Sequence, residues 1–184
     1  MAIELKKGQR ADIGLQRLGV GVGWNPNAGA SVHAFDLDAS AFMLTDAGKL
    51  VEDKFFVYYG NQTSPDGGVR SSGDNTTGDG DGDDETLFVE LGKLDPRVTQ
   101  IIFTATIYEH EERKQNFGQV RNSYVRIYDL ANGQEICKYE LDEDFSIETA
   151  IEFGRLYKRG DAWRFEASGI ASQGGLGVLL AKYQ

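Results

Sequence analysis

The segment GDNTTGDGDGDDE, residues 73–85, holds six carboxylates in thirteen residues and contains no basic side chain. At an effective dielectric constant near 20, two carboxylates about 5 Å apart repel each other by roughly 3 kcal/mol. A hard divalent cation would remove that repulsion, because Ca²⁺ takes about six to eight carboxylate and carbonyl oxygens. The intervening glycines would let the backbone wrap around such an ion. The segment therefore predicts calcium ligands at Asp79, Asp81, Asp83, Asp84 and Glu85, with Asp74 and Asn75 able to close the loop.

The acidic segment matches an EF-hand loop only in part. Counted from Asp79, the EF-hand acidic positions fall on Asp81, Asp83 and Glu90, but the sixth position is Asp84 where that loop requires Gly. The flanking sequences are a Gly/Ser-rich stretch and an alternating strand, whereas an EF-hand has two helices. An EF-hand is therefore excluded. A disordered acidic loop that binds no specific ion is the alternative to a calcium site.

A second pair of carboxylates occurs in the segment HAFDLDASAF, residues 33–42. Side chains alternate between the two faces of a strand, so the apolar residues would share one face and Asp36 and Asp38 the other, about 6–7 Å apart. A cation that bridges this strand and the acidic segment would compensate both aspartates. The alternative is a solvent-facing pair at the end of a strand.

The elements that would position these carboxylates are short strands. Period-two patterning predicts them at 3–6, 13–24, 32–44, 54–59, 87–94, 100–108, 124–130, 135–141, 151–158, 162–168 and 176–183. Asn132-Gly133 and Gly160 are typical of hairpin turns. Helical periodicity is weak, although 109–116 and 144–150 could each form a short turn.

The spacing of these strands predicts an all-β fold, a β-sandwich of about ten strands formed by a single domain over residues 1–184. Residues 60–85 contain Val69 as their only aliphatic side chain. A loop of this length inside a compact domain is either functional or disordered. We therefore expect a long acidic loop that calcium orders.

Composition restricts the partners. The formal net charge of −10 disfavours nucleic acid, which requires Lys and Arg at phosphates, and favours cation binding. The single cysteine, Cys137, rules out an intrachain disulfide and is expected to be a core residue of a strand. The sequence shows neither a secretory signal nor an apolar run of membrane-spanning length, which predicts a cytoplasmic protein.

Patterns that would indicate an enzyme are weak. GVGVGW at 19–24 lacks the spacing of a dinucleotide-binding loop and is expected to be a glycine-bearing strand. His110-Glu111 does not extend to a zinc-protease motif, and no serine lies in a nucleophile-elbow context. The sequence therefore predicts a protein that is not an enzyme.

Several segments together resemble the TerD family of tellurite-resistance and bacterial stress proteins. They are FDLDASAF, the acidic segment, RKQNFGQVRNSYVRIYD and ETAIEFGRLYKRGDAWRF, followed by a Gly-rich close, in the family's order over nearly the whole chain. The resemblance implies a calcium-binding β-sandwich, cytoplasmic or loosely membrane-associated, without a known enzymatic reaction. By motif it implies metal ligands at Asp36, Asp38, Asp74, Asn75, Asp79, Asp81, Asp83, Asp84 and Glu85, and in addition at Glu109. Asp79 stands where the family often has Glu, so coordination through water is an alternative there.

These observations together predict a non-enzymatic, calcium-binding stress protein that holds two Ca²⁺ ions. The ordered calcium site would recruit protein partners of a stress-response complex, with peripheral association at the inner membrane face as a further expectation. Two alternatives stay open. One is a calcium-dependent module for anionic membranes, which needs exposed basic or apolar residues beside the site. The other is a metal-dependent enzyme acting on oxyanions, which needs His33 or His110 within reach of the metal.

Overall fold

The computed structural model describes residues 3–26, 33–141 and 145–184, and most of them belong to two β-sheets. The strands are β1 (Ile3–Glu4), β2 (Arg10–Ile13), β3 (Arg17–Gly23), β4 (Leu37–Leu44), β5 (Phe56–Val57), β6 (Val69–Ser71), β7 (Glu85–Glu90), β8 (Gln100–Ile107), β9 (Tyr124–Asp129), β10 (Glu135–Glu140), β11 (Ala150–Arg159), β12 (Ala162–Glu166) and β13 (Ile170–Ser172). The helices are α1 (His110–Arg113) and α2 (Leu176–Tyr183), and short 3₁₀ turns occur at Asp53–Phe55, Leu91–Lys93 and Phe117–Gln119.

The two sheets form the sandwich that the strand spacing predicts. Sheet A has the order β1-β10-β9-β3-β7-β6, and sheet B has the order β2-β12-β11-β8-β4-β5, with β13 paired to β11. Neighbouring strands run antiparallel except β1 and β10, which are parallel. Apolar side chains of both sheets share one buried core, for example Val20 and Val22 of β3 with Ala39 and Ala41 of β4. The apolar face predicted for β4 is thus confirmed.

Strand β3 explains the glycine-rich sequence near the N-terminus. Leu18, Val20 and Val22 point into the core, so that the intervening glycines lie on the opposite face of sheet A. A Cβ atom built on Gly19 would lie 2.2 Å from the ring of Tyr128, which shows that neighbouring side chains occupy this face. The prediction of a glycine-bearing strand is confirmed.

The two hairpins predicted from turn residues are present. Strands β9 and β10 pair across the turn that contains Gly133, and β11 and β12 pair across Gly160. Both glycines have positive φ angles, 72° and 63°, which L side chains rarely adopt. Cys137 of β10 is buried in the core, as expected.

The predicted C-terminal strand at 176–183 is wrong, because these residues form helix α2. Leu179 and Tyr183 are buried and Leu176 and Leu180 partly buried, a spacing that gives the helix one apolar side. This side packs on Phe42, together with the other buried residues of the outer face of sheet B. A short apolar run is compatible with a strand and with a buried helix, so periodicity alone does not separate the two, and here the residues form the helix.

Several strand boundaries also differ from the prediction. The segment 13–24 is divided between β2 and β3, and the strand predicted to begin at Val32 begins at Leu37, while Val32 lies outside the described residues. The predicted loop 60–85 contains β6, which pairs with β7 through Val69 and Val89. Strands as short as β6 and β13 carry too few residues for a recognisable alternation. In the described ranges, none of the helices is long and apolar enough to cross a membrane.

Candidate metal centre

Three aspartates from separate parts of the sequence meet at one end of sheet B. Asp36 lies directly before β4, Asp38 lies within it, and Asp74 belongs to the acidic loop, residues 72–84, which connects β6 to β7. One carboxylate oxygen from each of these residues lies within 4.8 Å of the other two. We refer to Asp36, Asp38 and Asp74 as the acidic trio. The structure thus brings the predicted strand pair and the predicted loop together.

The acidic trio is poorly solvated for a group of three carboxylates. Asp36 is 6% exposed and Asp38 is 4% exposed, whereas Asp74 is exposed. The Oδ1 atom of Asp36 is buried and has no hydrogen-bond partner among the described residues. Arg113 lies 3.5 Å from the other oxygen, Oδ2. A buried carboxylate oxygen without a partner is destabilising unless a further cation or a proton compensates it.

Burial and mutual repulsion change the ionisation of the trio. The pKa of Asp38 is raised to about 7, chiefly by burial and in addition by the negative charges of Asp36 and Asp74. The pKa of Asp36 is also raised, chiefly by burial and then by Asp74, although the Arg113 guanidinium opposes the rise. A bound cation would favour the ionised form of all three carboxylates.

Glu85, the first residue of β7, is a fourth carboxylate beside the trio and, like Asp36 and Asp38, it is buried. Its Oε2 atom accepts the backbone N–H of Ala39 in β4 at 2.6 Å, and its Oε1 atom accepts the N–H of Asn75 in the acidic loop at 3.2 Å. Burial raises the pKa of Glu85 to about 8, opposed by these two hydrogen bonds and reinforced by the charges of Asp38 and Asp74. Glu85 therefore joins strand β4 to the loop and adds negative charge to the site.

A cavity of about 300 Å³ opens from the acidic trio to solvent, and Thr76, Tyr59 and Tyr108 complete its lining. Tyr59 and Tyr108 are 44% and 39% exposed, and their rings meet edge to face with centroids 6.0 Å apart. Arg113 of α1 lies behind this wall, 3.5 Å from the carboxylate of Asp36 and 5.2 Å from the ring centroid of Tyr108. The site is therefore open on one side, between two aromatic rings.

Two further predicted ligands, Asn75 and Asp84, have hydrogen bonds that shape the acidic loop. The side chain of Asp84 accepts the backbone N–H of Trp24 at 2.8 Å and the Nδ2–H of Asn75 at 3.2 Å. The Oδ1 atom of Asn75 accepts the N–H groups of Thr77 and Gly78, at 3.1 and 3.0 Å. The pKa of Asp84 is raised, mainly by burial and against the Trp24 hydrogen bond. These two side chains hold the loop in its conformation.

The remaining predicted ligands lie outside the acidic trio. Asp79 and Asp81 are exposed at the tip of the loop, and Glu109 is exposed and pairs with Arg113 at 3.2 Å. Asp83 forms an ion pair with Arg126, Oδ1 to Nε 2.7 Å and Oδ2 to Nη2 2.9 Å. Within the described ranges, the trio is the one cluster of three or more potential metal-ligating side chains. The assignment of the other residues as ligands stays a prediction.

Sequence reasoning did not identify the cationic and aromatic side chains around the site. Tyr59 and Tyr108 line the cavity from segments far apart in the sequence, and Arg113 contacts Asp36 and the Tyr108 ring, so spacing along the chain carries no signal that these side chains meet the aspartates. Arg126 was identifiable in principle, because YVRIY alternates and places Tyr124 and Arg126 on the face opposite the buried Val125 and Ile127. An arginine on a β-sheet face beside an acidic loop predicts an ion pair.

The chemistry of the acidic trio fits a hard cation. All of its side-chain donors are carboxylate oxygens, the ligands that Ca²⁺ and Mg²⁺ take, whereas Zn²⁺ and copper sites use imidazole or thiolate. Two oxygens bound to Ca²⁺ at about 2.4 Å can lie at most about 4.8 Å apart. The oxygen separations in the trio are within that limit.

Comparison with known proteins agrees with this fold. The TerD domain matches residues 1–183. The chain is 44% identical to General stress protein 16U of Bacillus subtilis (strain 168), over 100% of this chain and 97% of that protein. It is 42% identical to Tellurium resistance protein TerD of Serratia marcescens, with the same coverage of both chains.

A solved structure shows the same architecture. The crystal structure of SCO6318 from Streptomyces coelicolor A3(2), described as a homologue of telluride resistance protein (TerD), superimposes with a TM-score of 0.77. The match covers 91% of this chain and 96% of that chain at 22% sequence identity, so it supports the fold. Because the family domain and its 40%-level relatives span essentially the whole sequence, the chain belongs to the TerD family of tellurium-resistance and stress proteins.

Proposed function

We propose that this protein is a calcium-binding stress protein that acts as a non-enzymatic interaction module. The observation that carries the proposal is the acidic trio, in which two nearly inaccessible aspartates and one loop aspartate converge within 4.8 Å. Folding this cluster without a cation leaves a buried Asp36 oxygen unpaired. Calcium would neutralise the trio and connect the acidic loop to sheet B.

In this proposal Asp36, Asp38 and Asp74 bind the first ion directly. A second ion would bind nearer the tip of the loop, where Asp81 lies between Gly80 and Gly82 on the wall of a separate cavity of about 530 Å³. The flexible glycine backbone can supply carbonyl oxygens to a large ion with an irregular ligand shell. The stoichiometry of calcium binding distinguishes one ion from two.

The lining of the open cavity supports an interaction role over catalysis. Its described residues are carboxylates, two tyrosines and a threonine, and they include neither of the histidines, His33 and His110, that the oxyanion-enzyme alternative requires. Exposed tyrosines are common at interfaces, because they combine a large apolar ring with a hydroxyl group. The proposed partner is a protein of a cytoplasmic stress-response complex that contacts Tyr59 and Tyr108 when calcium is bound.

A second candidate function is calcium-dependent contact with an anionic membrane surface. This alternative requires exposed apolar or basic residues beside the metal, and the exposed rings of Tyr59 and Tyr108 lie in such a position. Binding to vesicles of phosphatidylcholine and phosphatidylserine, with calcium and with chelator, tests it directly. Sedimentation with the vesicles only in calcium favours the membrane role, and an unchanged soluble fraction favours the protein partner.

Calorimetric titration of metal-free protein with CaCl₂ tests the metal site. We expect Asp38→Asn to weaken binding at least tenfold, about 1.4 kcal/mol, because it removes a charged ligand of the trio. Asp46→Asn is the matched control, since Asp46 is an exposed turn residue outside the acidic loop. MgCl₂ at the same ionic strength should bind at least tenfold more weakly, because Mg²⁺ demands near-ideal octahedral geometry.

The two variants also separate a coordination site from general acidity. Equal losses of calcium affinity in Asp38→Asn and Asp46→Asn would show that net negative charge attracts the ion. Comparable affinities for calcium and magnesium would favour a solvated acidic loop. Absence of both a heat of binding and a calcium-induced rise in melting temperature in the unaltered protein would exclude the proposed function.

A further inference from the structure

The Asp83 side chain of the acidic loop accepts three hydrogen bonds from side chains of sheet A. Its carboxylate binds the Arg126 guanidinium through two parallel hydrogen bonds of 2.7 and 2.9 Å, and its Oδ1 atom also accepts the hydroxyl of Tyr124 at 3.0 Å. The Asp83 side chain is 6% exposed, and that of Arg126 is 30% exposed. Bidentate Arg–carboxylate pairs are among the strongest charge-assisted hydrogen bonds, and they also fix the relative orientation of the two side chains.

The Asp83 carboxylate of this ion pair packs against the backbone of β3. A Cβ atom built on Gly21 would lie 2.1 Å from Oδ2 of Asp83, so the carboxylate occupies the space that any larger residue would fill. A Cβ on Gly23 would similarly lie 2.5 Å from the Tyr124 ring. These glycines have ordinary φ angles, so their role is close approach and not backbone conformation. Gly21 and Gly23 of β3 therefore form a trough that accepts the side chains of Asp83 and Tyr124.

The position of Asp83 determines where the residues after it lie. The backbone N–H of Asp84 donates to the carbonyl of Val22 at 3.0 Å, and its side chain accepts the N–H of Trp24. Glu85 pairs with Val22 in the sheet, and its carboxylate accepts the N–H of Asn75. This series of contacts runs from the trough on β3 to the residue directly after Asp74, the one exposed member of the acidic trio.

We propose that Asp83 and Arg126 form a positioning clamp that holds the acidic loop so that Asp74 reaches the metal centre. This inference rests on the proposed calcium function and reassigns Asp83 from metal ligand to loop anchor. Both oxygens of Asp83 face Arg126 and Tyr124, and Asp83 is not part of the acidic trio. Loss of the clamp would leave the buried Asp36 and Asp38 in place and displace their loop partner.

The sign of the effect of Arg126 on calcium affinity separates this role from simple electrostatics. Arg126 is a cation in an acidic neighbourhood, so by charge alone its removal should strengthen the binding of another cation. A positioning role predicts the opposite. We expect Arg126→Gln to weaken calcium binding by about 10- to 100-fold, the range typical of groups that orient metal ligands. Arg126→Lys keeps the positive charge but cannot form the bidentate pair with Asp83, so it should also weaken calcium binding.

A double-mutant cycle distinguishes an anchor from a ligand. The full-length protein and its Asp83→Asn, Arg126→Gln and doubly substituted variants are titrated with CaCl₂, with melting in chelator to confirm folding. If Asp83 acts only through Arg126, the double variant binds no more weakly than either single variant. Arg159→Gln, at an exposed hairpin end in sheet B, is the matched control and should bind as the unaltered protein does.

Three outcomes would overturn the clamp. They are tighter calcium binding by Arg126→Gln, unaltered binding by Arg126→Lys, and additive losses for Asp83→Asn and Arg126→Gln, which would restore Asp83 as a ligand. Failure of the unaltered protein to bind calcium would instead refute the proposed function on which the clamp rests. Arg126→Lys retains the charge and most of the side chain, so it keeps the test decisive if the glutamine variant does not fold.

Discussion

Asp38 combines two properties that conflict in the absence of a cation. It is 4% exposed, and it shares its site with two other carboxylates. The pKa of about 7 that results means that near neutral pH the residue is close to half ionised, with the charged form opposed by burial. The chemistry of the site therefore depends on the carboxylate oxygens of the acidic trio and not on the total number of acidic residues in the loop.

We expect the substitution Asp38→Asn to stabilise the protein in chelator and to weaken its stabilisation by calcium. Asp38→Asn should raise the melting temperature of chelator-treated protein at pH 8, because it removes a buried charge repelled by Asp36 and Asp74. The same substitution should reduce the stabilisation that calcium adds, which for a ligand at a hundredfold excess over its Kd is about 2.7 kcal/mol. Thermal unfolding in chelator and in CaCl₂ measures both effects. A lower melting temperature in chelator would argue that Asp38 has a structural partner besides the metal.

Helix α2 shows how an element at the end of the chain supports the fold near the site. Its apolar side covers the outer face of sheet B, the same face of β4 from which Asp38 projects. Phe42 of that face stacks on Phe56, and the Phe56 ring stacks on Tyr58, which in turn contacts Tyr59 at the open cavity. A continuous series of aromatic contacts therefore links Phe42, on which helix α2 packs, to Tyr59, which lines the candidate metal centre.

A pair of neighbouring substitutions tests the helix. Leu179→Ala should lower the free energy of unfolding by about 2–5 kcal/mol, because Leu179 is buried against the outer face of sheet B. Val178→Ala, one residue earlier and 55% exposed, should change it by less than about 0.5 kcal/mol. Denaturant unfolding measures both variants. A comparable loss at Val178 would contradict the side of the helix that the structure buries.

The whole molecule carries a formal charge of −10, and its buried carboxylates connect that charge to stability. Burial raises the pKa of Asp38 to about 7 and that of Glu85 to about 8, well above the values of about 4 expected in the unfolded chain. The folded protein then binds more protons than the unfolded chain across this interval, so stability falls as pH rises.

This linkage predicts the pH dependence of the metal-free protein. In chelator, the contribution of these two carboxyls is fully present below about pH 4 and is lost as the pH rises through about 8. Calcium should remove most of the loss, because the ion stabilises the ionised carboxylates and its binding releases their protons. Urea unfolding between pH 5 and pH 9, with chelator and with CaCl₂, checks the prediction. A chelator curve that rises with pH over this range would contradict the burial of these groups.

The amino-acid sequence by itself determined the β-sandwich and the set of carboxylates that are candidate metal ligands. Two kinds of local signal predict the strands: alternation of side chains, as in residues 100–107, and turn residues such as Gly133 and Gly160. Both depend only on residues close together in the sequence, so a single sequence is enough to recognise them. The sequence also identified Asp36 and Asp38 as a same-face pair and the acidic loop as their partner. Residues Leu176–Tyr183 form a helix where the sequence predicts a strand, because eight residues carry too little periodicity to distinguish a helix from a strand.

Only the tertiary structure decided which carboxylates converge and which are anchored. Asp74 and Asp83 belong to the same acidic loop, yet Asp74 joins the buried Asp36 and Asp38 at sheet B, and Asp83 binds Arg126 of sheet A. That division depends on residues distant in sequence, including the β3 glycine that leaves space for Asp83. Charge and spacing along the chain do not encode distances between sheets, because those distances are set by how the two sheets pack around their common core.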